Sequence, residues 1–138
     1  MFPDYASFEY RDDKVQRIYK TLTEEDNSIF YKANYTEVFI ASMAIGKVLG
    51  IKQSINRKSR SIPTSVFTLD ERWLMISVAL SEIKDISIIK QPDKILEIAE
   101  EYSNGGIEHL NYIYESGIMT NPVEKFEEKI REALSVTY

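Results

Sequence analysis

Apolar residues recur at helical intervals through most of the chain, and those intervals predict six helices. Val15, Ile18, Tyr19 and Leu22 line one side of a first helix opening at Asp13, with Gln16 placed three residues on to complete a capping box. The polar run from Thr23 to Asn27 reads as a loop. A second helix opens at Asn34, with Glu37 at the third position, and then runs from Val38 to Gly46 without a charge. A helix apolar on all sides is expected at the centre of a fold. Val, Phe and Ile also favour strands, but the cap and the Ala and Met content favour a helix. Ala41, Ser42, Ala44 and Gly46 are small enough to let a neighbour approach closely.

Thr68-Leu69-Asp70-Glu71 is a capping box, so it starts a third helix. Leu69, Trp73, Ile76, Leu80 and Ile83 follow at helical spacing and predict its core-facing stripe. Pro92 suits the first turn of a fourth helix, with Ile95, Ile98, Ala99 and Tyr102 facing inward. Asn104-Gly105-Gly106 then predicts a corner, because adjacent glycines open positive φ. Asn104 and Gly105 would end the fourth helix, and Gly106 would let a fifth pack close. That fifth helix carries Ile107, Leu110, Ile113 and Tyr114 and stops at Gly117. A sixth starts at Asn121, with Pro122 in its first turn and Val123, Phe126, Ile130, Ala133 and Leu134 facing inward.

Residues 1–11, rich in Tyr and Phe, show no period and read as a loosely ordered tail. Residues 50–67 read as an irregular connection with room for a short hairpin, where Pro63 holds Ile62 extended. The expectation is an all-α fold: residues 1–138 form one compact bundle of about six helices, with 118–138 as an added C-terminal helix. A chain of this length buries roughly two-thirds of its unfolded surface.

Composition narrows the function classes. With 43% apolar and 28% charged residues the chain is globular rather than disordered. The absence of cysteine excludes disulfides, thiolate metal sites and thiol catalysis. No leader pattern opens the sequence and no apolar run reaches the ~18 residues of a membrane span, so a cytoplasmic location away from membranes is expected. The net charge of −5 is uneven. Between Val38 and Leu69 there is no acid, while Lys47, Lys52, Arg57, Lys58 and Arg60 all lie there, so this segment carries +5 and the remainder −10. It is either a solvated loop or a contact for phosphate or an acidic partner.

Catalytic signatures are sparse. His109 is the sole histidine and reads as a surface residue. Glu97, Glu100, Glu101 and Glu108 could offer oxygen ligands to a hard cation, but acidic runs usually mark a solvated helix face. Phosphate-loop and dinucleotide glycine signatures are missing. Ala44 to Arg57 resembles the turn of a bacterial helix-turn-helix, with Gln53, Ser54, Asn56 and Arg57 as base readers. In that register Asn56 falls on a position normally aliphatic, and Ile55 is one place early. A DNA-binding transcriptional regulator is therefore the alternative reading.

The segment from about Asp13 to Gly117 resembles the small accessory proteins encoded beside DNA phosphorothioation systems, the Dnd-system-associated proteins of type four. The likeness is carried by the Tyr35–Gly46 helix ending in glycine, the basic stretch, Ser61-Ile62-Pro63 and the Asp85–Ile89 corner. It is closest at Ile98–Leu110, which is similar to a family signature reading Ile–Phe–Glu–Glu–Tyr–Ala–Asn–Gly–Gly–Leu–Glu–Ile–Leu. The resemblance implies an accessory role in sulfur modification of DNA, or in restriction of DNA that lacks it. The expectation is a non-enzymatic subunit with no cofactor and no metal, whose partners are other proteins of such a system and the DNA backbone, with a homodimer as one arrangement. Lys47, Lys52, Arg57, Lys58 and Arg60 would contact DNA, and Glu100, Glu101, Tyr102 and Glu108 would form a partner-docking rim.

Overall fold

The computed structural model describes residues 2–10, 13–117 and 131. Four α-helices, two short strands and two 3₁₀ turns appear among them. In chain order these are β1 (Tyr5–Ala6), α1 (Lys14–Glu24), α2 (Tyr35–Leu49), β2 (Ile62–Pro63), a 3₁₀ turn Thr64–Val66, α3 (Leu69–Ile83), a 3₁₀ turn Ile86–Lys90 and α4 (Pro92–Glu115). The fold is mostly helical, with four helices where the sequence predicts five in this region. The predicted sixth helix lies outside the described residues.

The missing corner explains much of the difference. α4 runs unbroken through Asn104-Gly105-Gly106, so the predicted fourth and fifth helices are one. Neither glycine adopts positive φ; only Gly50 and Gly117 do so among the described glycines. Their purpose is close approach. A β-carbon on Gly106 would collide with the carbonyl oxygen of Ser42, and one on Gly105 with that of Ile51. Gly46 faces the same junction, where a β-carbon would strike the carbonyl oxygen of Tyr102. α2 and α4 therefore cross backbone to backbone at Ser42, Gly46, Tyr102 and Gly106, and Gly105 admits the chain at Ile51, just past α2. Each mid-helix glycine costs about 1 kcal/mol against alanine, which this contact offsets.

α2 starts at its predicted Asn34 but runs past Gly46, where the resemblance ended it, and stops only at the left-handed Gly50. It is not buried on every side. Val38, Phe39 and Met43 enter the core, while Ala44, Val48 and Leu49 are exposed. Asp13 and Asn34 stand at their predicted N-caps but make no side-chain cap bonds. At α3 the capping box is complete, with Glu71 N donating to Thr68 Oγ1 and Thr68 N donating to Glu71 Oε1.

The predicted core stripe of α3 is a correction. Met75 and Ala79 are the buried residues of this helix. Leu69, Trp73 and Ile83 are exposed, and Ile76 and Leu80 are only partly covered. The N-terminal segment is a second correction. Ala6, Ser7 and Phe8 are buried, and β1 pairs antiparallel with β2, so Tyr5 faces Pro63 and Ala6 faces Ile62. Phe8 stacks on Tyr19, their centroids 4.6 Å apart. The 50–67 connection thus holds no hairpin of its own; its strand pairs with the chain's start. Residues 51–57 contain no helix, which removes the recognition helix of the helix-turn-helix reading. Among the described residues no helix is long and apolar enough to cross a membrane.

Candidate functional site

The basic connection and the acidic part of α4 lie against each other. Their placement follows from the α2–α4 crossing: the chain leaves α2 at Gly50, sets Ile51 against Gly105, and runs along α4. Gln53 N donates to the carbonyl of Glu101 at 3.1 Å. The Asn104 side-chain amide donates to the carbonyls of Gln53 and Ser54, each at 3.2 Å. Ser54 Oγ donates to Glu101 Oε2 at 3.3 Å. The Glu-Glu-Tyr-Ser-Asn-Gly-Gly stretch is thus a cradle for the chain's own connection.

Two carboxylates organise the charges. Glu82, near the end of α3, accepts from Tyr102 Oη at 2.5 Å and from Lys52 Nζ at 2.9 Å, with Lys47 Nζ at 3.7 Å. Lys47 and Lys52 also sit over the Tyr102 ring, 5.1 and 5.8 Å from its centroid, a favourable cation–π position. The Tyr102 hydroxyl bond, then the Lys52 ammonium, hold the Glu82 carboxyl down to about 2. The same bond raises the Tyr102 phenol, and the hydrogen bond to Glu82 raises the Lys52 ammonium.

Glu100 sits in a different environment. It is only 4% exposed. It accepts from Ser7 N at 2.7 Å and from Lys58 Nζ at 3.3 Å. Burial raises its pKa, and Lys58 and Ser7 oppose that only in part. Through it α4 holds both the first strand's exit and the basic connection.

The residues expected to touch DNA are therefore divided. Lys47 and Lys52 serve Glu82, Lys52 also lies 3.9 Å from Glu101, and Lys58 serves Glu100. Arg57 and Arg60 are exposed and have no ion pair among the described residues. Arg60 and Lys58 border an open groove of about 470 Å³, but Asp4, Asp93, Glu97 and Glu100 line it too. The expected docking rim divides likewise: Glu100 and Tyr102 are buried, Glu101 is half-buried, and exposed Glu108 pairs with Lys14 at 2.7 Å. Glu97 lies 3.9 Å from Lys94 on its own helix. No group of three or more His, Asp or Glu suited to a metal ion occurs among the described residues. His109 is exposed and borders an apolar groove with Ala44, Ile45, Val48, Leu49 and Ile113.

Glu82 and Glu9 are the residues that sequence reasoning missed. Glu9 accepts the backbone amides of Asn56 and Arg57, at 2.7 and 3.2 Å. Glu82 carried a signal, as the only charged residue between Arg72 and Lys84. Comparison with the curated proteins and with the solved structures finds no match. Residues 11–124 match the family described as DNA sulphur modification system-associated protein 4. That span contains α1 to α4, the basic connection and its acidic cradle, and the chain belongs to this family of proteins associated with DNA sulphur modification systems.

Proposed function

We propose that the chain is a non-enzymatic accessory subunit of a DNA phosphorothioate modification or restriction system, and that it works through protein contacts. One observation carries the preference for protein over DNA: three of the five cations in the basic stretch are matched by Glu82, Glu100 and Glu101. A cation already paired releases few counterions on meeting phosphate, so it contributes little to DNA affinity. A second reading, contact with the DNA backbone, rests on Arg57 and Arg60, which stand exposed, Arg60 at the edge of the groove.

Two measurements separate these readings. The chain is co-expressed with the other proteins of such a system and tested for co-purification. Duplex DNA binding is followed by fluorescence anisotropy at about 50 and 200 mM salt, a range over which backbone contacts weaken steeply. Stable co-purification without salt-sensitive DNA binding supports the adaptor. Steeply salt-dependent binding that Arg57→Ala with Arg60→Ala abolishes moves the function to the DNA backbone.

A further inference from the structure

α3 presents an apolar face that the described fold covers only in part, at Ile76 and Leu80. At 100° per residue, Leu69, Trp73, Ile76, Leu80 and Ile83 fall on one stripe about 21 Å long. The buried pair, Met75 and Ala79, lies roughly a quarter-turn away. Leu69 is 70% exposed, Trp73 55% and Ile83 41%, with Ile86 at 71% just beyond the helix end. Together they approach the few hundred Å² at which an exposed apolar patch marks an interaction site. An exposed tryptophan near the middle is the residue type that most often dominates binding energy.

The charges around the stripe identify its occupant. Asp70 lies on one flank at the N-terminal end, and Lys84 lies just past the C-terminal end. Both are exposed, and neither has an ion pair among the described residues. We infer that α3 is the two-fold interface of a homodimer, in which the stripe packs antiparallel on the same stripe of a second copy. A two-fold axis near Ile76 places Leu69 by the other copy's Ile83, Trp73 by its Leu80 and Asp70 by its Lys84. An isologous contact uses each of these pairs twice. The opposed helix dipoles and the doubled Asp–Lys pair make the face complementary to itself despite the acidic total charge. The stripe is smaller than the roughly 800 Å² per partner of a standard interface, so the expected Kd is on the order of micromolar.

Trp73 is the only tryptophan in the chain, so it reports on this face directly. Sedimentation velocity and intrinsic fluorescence are measured together from about 1 to 100 μM, bracketing that Kd. The expected result is a rise from monomer to dimer mass, with a blue shift of emission that follows it. Leu69→Asp should stay monomeric and red-emitting at every concentration with an unchanged melting temperature. Asp70→Lys and Lys84→Asp should each weaken the dimer at least several-fold, and the two combined should restore it. Three outcomes overturn the inference: monomer mass with red emission throughout, monomer mass with blue emission at all dilutions, because the chain then covers its own face, or a blue shift only on adding another protein of the system. The first two leave the adaptor proposal standing, because its readout is co-purification, and the third supports it while removing the homodimer.

Discussion

Glu82 and Glu100 are carboxylates whose surroundings push them in opposite directions, so they give the protein opposite responses to acid. Glu82 is held down to about 2 by its bonds to Tyr102 and Lys52. Its folded pKa lies below the unfolded value of 4.5, so the folded state binds fewer protons at this site. That stability is present above about pH 4.5 and is lost as pH falls toward about 2. Glu100 is raised, so the folded state favours its protonated form. Its contribution is full below the unfolded pKa and fades as pH rises through the folded one. Two melting series across pH check this. Glu82→Gln should flatten the acid loss of stability, whereas Glu100→Gln should narrow the stability gap between neutral and mildly acidic solution while keeping an acceptor for Ser7 N. A Glu82→Gln protein with the wild-type acid profile would remove the hub assigned to Glu82.

The helices show how one local signal serves two purposes. Asn-Gly-Gly reads as a helix stop, yet in α4 it is the flattened surface that α2 needs. Gly106→Ala should therefore destabilise the protein by about 3 kcal/mol, because the added carbon meets the Ser42 carbonyl, which cannot rotate away. Helix propensity alone predicts a gain from the same change. Gly50→Ala has nothing within 4 Å to strike, but its φ of 69° is strained for alanine, costing about 1–2 kcal/mol. Denaturant titration of the two variants distinguishes crowding from backbone strain: a side chain larger than alanine should worsen the loss steeply at Gly106 and little at Gly50. Thr68→Ala should cost about 1 kcal/mol through loss of the α3 capping box.

Across the molecule, the connection between α2 and β2 is held by side chains and scattered backbone carbonyls rather than by regular structure. The amides of Gln53, Asn56, Arg57, Ser59 and Arg60 donate to Glu101, Glu9, Phe8 and Ser7. Hydrogen exchange should find Asn56 and Arg57 protected well beyond ordinary loop amides, and Glu9→Ala should release those two while sparing Gln53. Equal exchange in the two proteins would show that Glu9 does not order the connection.

The interactions legible in the residues alone are short-range ones. The Thr68–Glu71 box and the Asn34 and Pro92 starts join residues within one turn, so local chemistry decides them. The basic segment and the acidic signature of Ile98–Leu110 were equally plain, and the likeness to the family rested on them. Periodicity also marked the apolar face of α3, because a repeat of 3.6 needs no partner to be seen. What it could not say is which surface that face meets. Nor could the chain's order reveal that Lys47 and Lys52 would meet Glu82, or that Ser42 would press on Gly106. Those pairings join residues thirty or more positions apart, and they exist only because α2 crosses α4 closely enough to fold the cationic connection onto the carboxylates it neutralises.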